Sequence, residues 1–173
     1  MLKASDYIDA VIETVKSWGI PTVLFNPEFT DEDELENLVT PAVLILCDSM
    51  GSSEFSPSGS GSLVEPVDID FVCLVAKNSK VDSAKAAFNL ASFVKRRTTN
   101  CRWGLGLECF NPTRITAQNA TGSIKGYTEW HVSFNQAFEL EPVKDEEFDM
   151  NGLYLGINPK NDDDFELIGE LDE

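Results

Sequence analysis

An α+β fold is what the sequence predicts: a mixed, mostly antiparallel sheet with two main helices packed on one face, plus an extended acidic C-terminal arm. Three observations predict it. Two segments with helical periodicity, residues 5–18 and 79–97, are separated by runs that read as strands. Residues 129–140 alternate apolar and polar side chains, the period-two pattern of a strand with one covered face. From Glu139 to Glu173 thirteen Asp or Glu stand against two Lys, so this stretch holds −11 of the formal −17 charge.

In the first helix Ile8, Val11, Ile12, Val15 and Trp18 fall on one face. Ser5 is placed to cap it, Asp6 and Asp9 sit near its positive end, and Gly19 then Pro21 stop it. Residues 22–25 read as a short strand. Thr30 and Asp33 open a short acidic helix over 31–38, which ends before Pro41. Residues 42–47 form an unbroken apolar run, expected as a strand buried on both faces. Residues 49–66 hold seven Ser, three Gly and two Pro, and are expected to be a mobile loop that orders against a partner. Phe55 is its expected anchor.

Residues 67–76 read as a strand that starts half exposed and ends buried. Ser79 and Asp82 open the second long helix, with Val81, Ala84, Phe88, Ala91 and Val94 expected on its inner face. Lys95, Arg96 and Arg97 close it, where the helix dipole favours cations. Strands are expected at 107–110 and 114–118, broken by Pro112, and a second polar loop at 119–128 precedes the final strand.

Residues 1–140 therefore read as one domain and 141–173 as an acidic extension. That extension is too charged to form a core, because each unpaired buried carboxylate costs several kcal/mol. It is also too rich in apolar residues for a purely solvated tail. Leu153, Leu155 and Ile157 alternate with Tyr154 and Gly156, and Phe165 and Leu167 repeat the pattern. Such a segment suits addition to an exposed sheet edge of a neighbouring molecule. Lys95, Arg96 and Arg97, with Arg102, are the candidate receivers of its charge.

The sequence pI near 4.2 argues against wrapping duplex DNA, where Lys and Arg must neutralise phosphates. Cys47, Cys73, Cys101 and Cys109 lack the spacing of a zinc knuckle and are expected as reduced, buried small hydrophobes. Neither a signal peptide nor an apolar run near the ~20 residues of a membrane span is recognisable, so a reducing cytosol, or a particle assembled there, is the expected setting.

Catalytic signals are weak. His131 is the one histidine, and it falls mid-strand on the polar face, where a half-exposed structural role is expected. Asp68 and Asp70 share a strand face, yet such acids are usually solvated; Asp162, Asp163 and Asp164 lack a calcium-loop pattern. The Gly59-Ser60-Gly61 stretch has no Lys-Ser/Thr after it, so it does not make a phosphate cradle. No enzymatic activity, metal or cofactor is expected.

The opening amphipathic helix over 7–18, the TPAVLIL strand at 40–46, the helix at 81–97 after a strand and the closing EWHVSFNQAFEL strand at 129–140 together give the resemblance. In order and texture, over about residues 4–140, the chain resembles tail terminator (tail-completion) proteins of contractile-tailed, Mu-like bacteriophages. The resemblance implies a non-enzymatic virion protein at the head-proximal end of the tail. It would form a homo-oligomeric ring, typically hexameric, that caps the tail tube. Its implied partners are the tube protein, the neck or head-completion proteins and, as a further candidate, the sheath, with DNA passing through an acidic lumen unbound. Two alternatives stand beside it: another phage neck or connector protein, and an acidic inhibitor or DNA mimic. A small hydrolase using Asp68, Asp70 or His131 would require a deep pocket beside them.

Overall fold

The computed structural model describes residues 2–27, 38–56, 62–77, 82–120, 124–140, 153–156 and 165–169. The chain divides into two compact units, Met1–Glu141 and Pro142–Glu173. In the first unit, helix α1 (Ala4–Ser17) leads to strands β1 (Thr22–Phe25), β2 (Ala42–Met50), β3 (Glu54–Phe55) and β4 (Leu63–Ala76). Helix α2 (Ser83–Thr98), a single 3-10 turn (Gly106–Glu108), and strands β5 (Thr113–Ala120) and β6 (Tyr127–Leu140) follow. The sheet runs β1-β2-β4-β6-β5, with β3 also paired to β4. Only β1 and β2 are parallel neighbours; the other described pairs are antiparallel. The predicted α+β class, with its mostly antiparallel sheet and two helices, is the observed one.

The centre of the sheet is the long β4–β6 ladder, fourteen paired positions from Leu63↔Leu140 to Ala76↔Tyr127. Because β5 and β4 both run antiparallel to β6, they are parallel to each other, and α2 lies in the connection between them. Side chains alternate across this ladder. Val67, Ile69, Phe71 and Cys73 from β4 join Val132, Phe134 and Phe138 from β6 in one core with Tyr7, Val11 and Val15 of α1 and Ala91 and Val94 of α2. Aromatic rings knit its middle: Phe71 to Phe134 at 5.2 Å, Phe71 to Trp103 at 6.1 Å, and Tyr7 stacked on Phe138 at 4.3 Å. On the opposite face Ala42, Leu44, Val72, Leu74 and Tyr127 make a smaller cluster, packed with Leu24 and Leu38. That explains why the front of β2 is apolar at every position: it is buried on both sides.

Several sequence expectations are corrected. Helix α1 begins two residues earlier than a Ser5 cap would allow. Lys3 is its N-cap, and the Asp6 carboxylate accepts from the Lys3 backbone N–H at 3.0 Å. The inner stripe of α2 is Ala87, Ala91, Val94 and Thr98, not Ala84 and Phe88. Phe88 is 53% exposed and meets Trp130 edge-on at 5.3 Å, because the small Ala87 and Ala91 are what let the helix approach the sheet. Asp82 caps α2 as expected, accepting from the Lys85 backbone N–H.

Residues 49–66 are not simply a loop. The β2 strand runs on to Met50, β3 pairs Glu54 and Phe55 with Val64 and Leu63, and the Ser56 N–H donates to the Ser62 carbonyl. Backbone pairing here outweighs the polar composition. Gly51 makes the join possible: its N–H donates to the Pro66 carbonyl, and a Cβ there would sit 2.8 Å from the Pro66 ring. Likewise residues 107–110 are not a strand. They form the end of a tight wind with positive φ at Asn100, Trp103, Gly104 and Gly106, touching β6 through the isolated Cys109↔Phe138 bridge. The acidic helix expected at 31–38 lies, apart from Leu38, outside the described residues, as does Val81.

In the second unit β7 (Leu153–Gly156) and β8 (Phe165–Gly169) pair antiparallel with each other, Tyr154 opposite Leu167 and Gly156 opposite Phe165. The two segments expected as strands from their alternation are strands, and they pair with each other.

Candidate functional site

Strand β6 places Glu129, His131, Ser133 and Asn135 on the face away from the helices, next to Asp68 and Asp70 of β4. Register sets Asp70 opposite Ser133 and Asp68 opposite Asn135. His131 Nδ1 bonds Asp70 Oδ2, and His131 Nε2 bonds Glu129 Oε1 at 2.5 Å. The Ser133 hydroxyl donates to the other Asp70 oxygen at 2.9 Å. Asp70 and Glu129 are only 8% and 4% exposed, so both carboxylates are taken from water and must be paired. His131 pairs both. Its pKa is raised to about 9, chiefly by the bond to Asp70 and further by Glu129, against the opposing effect of burial. At neutral pH the ring is an imidazolium that donates from both nitrogens.

His131 is the half-exposed structural strand histidine expected, here with two partners, whereas Asp70 is buried and not the solvated acid expected. The ring is a structural cation holding two buried carboxylates. With both ring nitrogens protonated and donating, it has no lone pair with which to activate a nucleophile. Asp68, by contrast, is exposed; bonds from the Ser49 hydroxyl (2.8 Å) and the Asn135 amide (3.1 Å) lower its pKa. A shallow cleft of about 240 Å³ lies beside it, lined by Asp48, Asp68, Asp70, Arg114, Ser133 and Asn135. Among the described residues no group of three or more His, Cys, Asp or Glu side chains could hold a metal ion.

The four thiols are free. Burial raises all of them, Cys73 and Cys109 to about 12, so none is a thiolate near neutrality. Among the described residues no helix is long and apolar enough to cross a membrane.

A second polar centre, missed in the sequence, sits inside the core. Gln136 is 1% exposed and makes four bonds: its Oε1 accepts from the Tyr7 hydroxyl (2.8 Å) and the Trp103 indole (2.5 Å). Its Nε2 donates to the carbonyls of Cys101 (3.0 Å) and Phe110 (2.6 Å). One side chain thus ties α1, β6 and the tight wind after α2. The parity of β6 was the available signal: position 136 falls between Phe134 and Phe138 on the inward side.

That wind decides where the predicted basic residues go. Arg102 is engaged by its own loop, donating to Asn111 Oδ1 at 3.0 Å and to the Gly106 carbonyl at 3.4 Å. Arg96 and Arg97 are exposed and Lys95 is half-buried. Arg97 lies 5.4 Å over the Phe93 ring, and Phe93, Arg96 and Arg97 line a cleft of about 300 Å³. No carboxylate lies in ion-pair range of Lys95, Arg96 or Arg97 among the described residues.

Apolar chemistry is exposed elsewhere. Phe55 is 78% exposed on β3. An apolar groove of about 370 Å³ runs between α1 and the strand ends, lined by Ala4, Ile8, Ile12, Phe25, Met50 and Val67 among others. Of the arm candidates, Leu153 and Leu155 fall in β7 and Phe165 and Leu167 in β8, whereas Ile157 is outside the described residues. No protein-family model matches this sequence, and no curated protein matches it significantly.

Proposed function

We propose that this chain is a structural assembly protein, and specifically a tail terminator: a ring, expected to be hexameric, that caps a phage tail tube and receives the neck. The observation that carries the assembly reading is how its polar chemistry is distributed. The titratable groups that could do chemistry, His131, Asp70 and Glu129, are hydrogen-bonded to one another within the sheet. Other exposed features are of the kind that bind other proteins: Phe55, the apolar groove beside α1, and Arg96 and Arg97, which have no carboxylate in ion-pair range among the described residues. The narrower assignment rests on the resemblance in element order and texture over about residues 4–140. The charge supports it, since an acidic lumen lets DNA pass without holding its phosphates.

Negative-stain microscopy of the purified full-length protein tests this reading. Closed rings with a central opening are expected. A species that stays monomeric at every concentration would remove the ring, and with it the terminator assignment.

A further inference from the structure

We propose that the cleft formed by Phe93, Arg96 and Arg97 is a receptor for an acidic peptide, and that its occupant is the C-terminal arm of a neighbouring copy of this chain. The proposal rests on the assembly reading above and supplies its inter-subunit contact. The cleft stands out chemically on a chain of formal charge −17, because exposed cations here have no carboxylate in ion-pair range among the described residues. Arg97 is held over the Phe93 ring at 5.4 Å, and Trp18 supports that ring edge-on at 6.1 Å. A guanidinium already placed on an aromatic face loses less freedom when it pairs, and its planar fork fits a carboxylate with two bonds.

The arm offers the matching chemistry in consecutive residues: Asp162, Asp163 and Asp164, then Phe165 at the start of β8. A run of acids followed by an aromatic suits two cations beside an aromatic floor. Arg102, bound into its own loop, is left out of the receptor. Charge balance favours the neighbouring copy as the source. Two bodies of −17 repel each other unless cations of one meet acids of the next. A patch and its complement at different places on one chain make head-to-tail contacts, which close into rings when the rotation permits.

The test uses full-length protein in sedimentation velocity, with microscopy of the same samples, at about 50 mM and about 500 mM salt. Wild-type assemblies are expected to weaken at least about tenfold at the higher salt. Arg96→Glu with Arg97→Glu should abolish them while lowering thermal unfolding only slightly, since both residues are exposed and lose only a favourable place at the helix end and the Arg97 contact with Phe93. Adding Asp162→Arg, Asp163→Arg and Asp164→Arg to that variant should restore assembly. Rings that persist in the Arg96/Arg97 variant, or a reversed arm that fails to restore them, would overturn the arm contact while leaving the ring reading intact. A variant that unfolds much earlier with its oligomeric state unchanged would place the arm on its own chain and also overturn the proposal. Wild-type protein that never assembles would instead remove the ring reading itself.

Discussion

Strand β6 builds both faces of the sheet, and the two faces handle polarity in opposite ways. Toward the helices, Val132, Phe134 and Phe138 surround a single neutral amide, Gln136, whose four bonds join three separate pieces of chain. On the other side, Glu129 and His131 with Asp70 of β4 form a charged set in which one cation bridges two carboxylates at the surface of the sheet. The neutral site ties tertiary structure together; the charged site holds only the two central strands. The contrast teaches that a polar cluster beside a cleft is not by itself an active site. What matters is whether a group keeps a lone pair or proton free, and here both nitrogens of His131 are engaged within the network.

Replacing Gln136 with Leu should be the most damaging change. It strands the Tyr7 hydroxyl, the Trp103 indole and two carbonyls in the core, and at ~1–3 kcal/mol per buried unpaired group a loss of about 4 kcal/mol is expected in urea unfolding. A loss below about 1 kcal/mol would mean that the wind after α2 is held by something else.

The charged face should be next. His131→Phe leaves Asp70 and Glu129 without their shared cation and should cost about 3 kcal/mol, the low end for a broken buried pair because the imidazole keeps 29% exposure. Wild-type stability should also depend on pH with a definite sign. The folded pKa of His131, about 9, lies above the ordinary imidazole value of 6.5, so folding is favoured by the bound proton. That contribution is complete below pH ~6.5 and is lost as pH rises through ~9. Thermal unfolding across this window should show the decline in wild type and a flatter profile in His131→Phe.

A smaller effect separates the observed stripe of α2 from the one the sequence suggests. Val94→Ala should cost about 2 kcal/mol by leaving space in the core, whereas Phe88→Ala, at a half-exposed edge contact, should cost under about 1 kcal/mol. Equal costs would put Phe88 on the inner face after all. Smallest of all, Phe55→Ser should leave unfolding within ~0.5 kcal/mol, because the ring is already in water.

How much of this was legible depends on the range of the interaction that sets each feature. Local periodicity revealed β1, the buried front of β2, β6 and both helices, because burial on one face imposes a period on neighbouring residues. It placed Ala91 and Val94 of α2 correctly but misplaced Ala84 and Phe88, since a stripe through Phe88 fits helical periodicity as well as the stripe through Ala87 and Ala91 does. Only the close approach to the sheet selects the smaller pair. Residues 49–66 look like a loop by composition, and their ladder to β4 is a pairing made at long sequence separation. The candidate site was hidden for the same reason. Asp70 and His131 are sixty-one residues apart, and nothing before the register of β4 against β6 says that they meet. The basic cluster was visible as residue types, but the departure of Arg102 from it required the wind anchored by Gln136.

Because His131 is the one histidine in the chain, its titration can be followed without ambiguity by imidazole nitrogen NMR on the full-length protein from pH 5 to about pH 10. Both ring nitrogens should be protonated at pH 7, with the midpoint near 9. A midpoint near ~6.5 with one nitrogen unprotonated at neutral pH would contradict the closed network and return His131 to the list of groups able to act as a base.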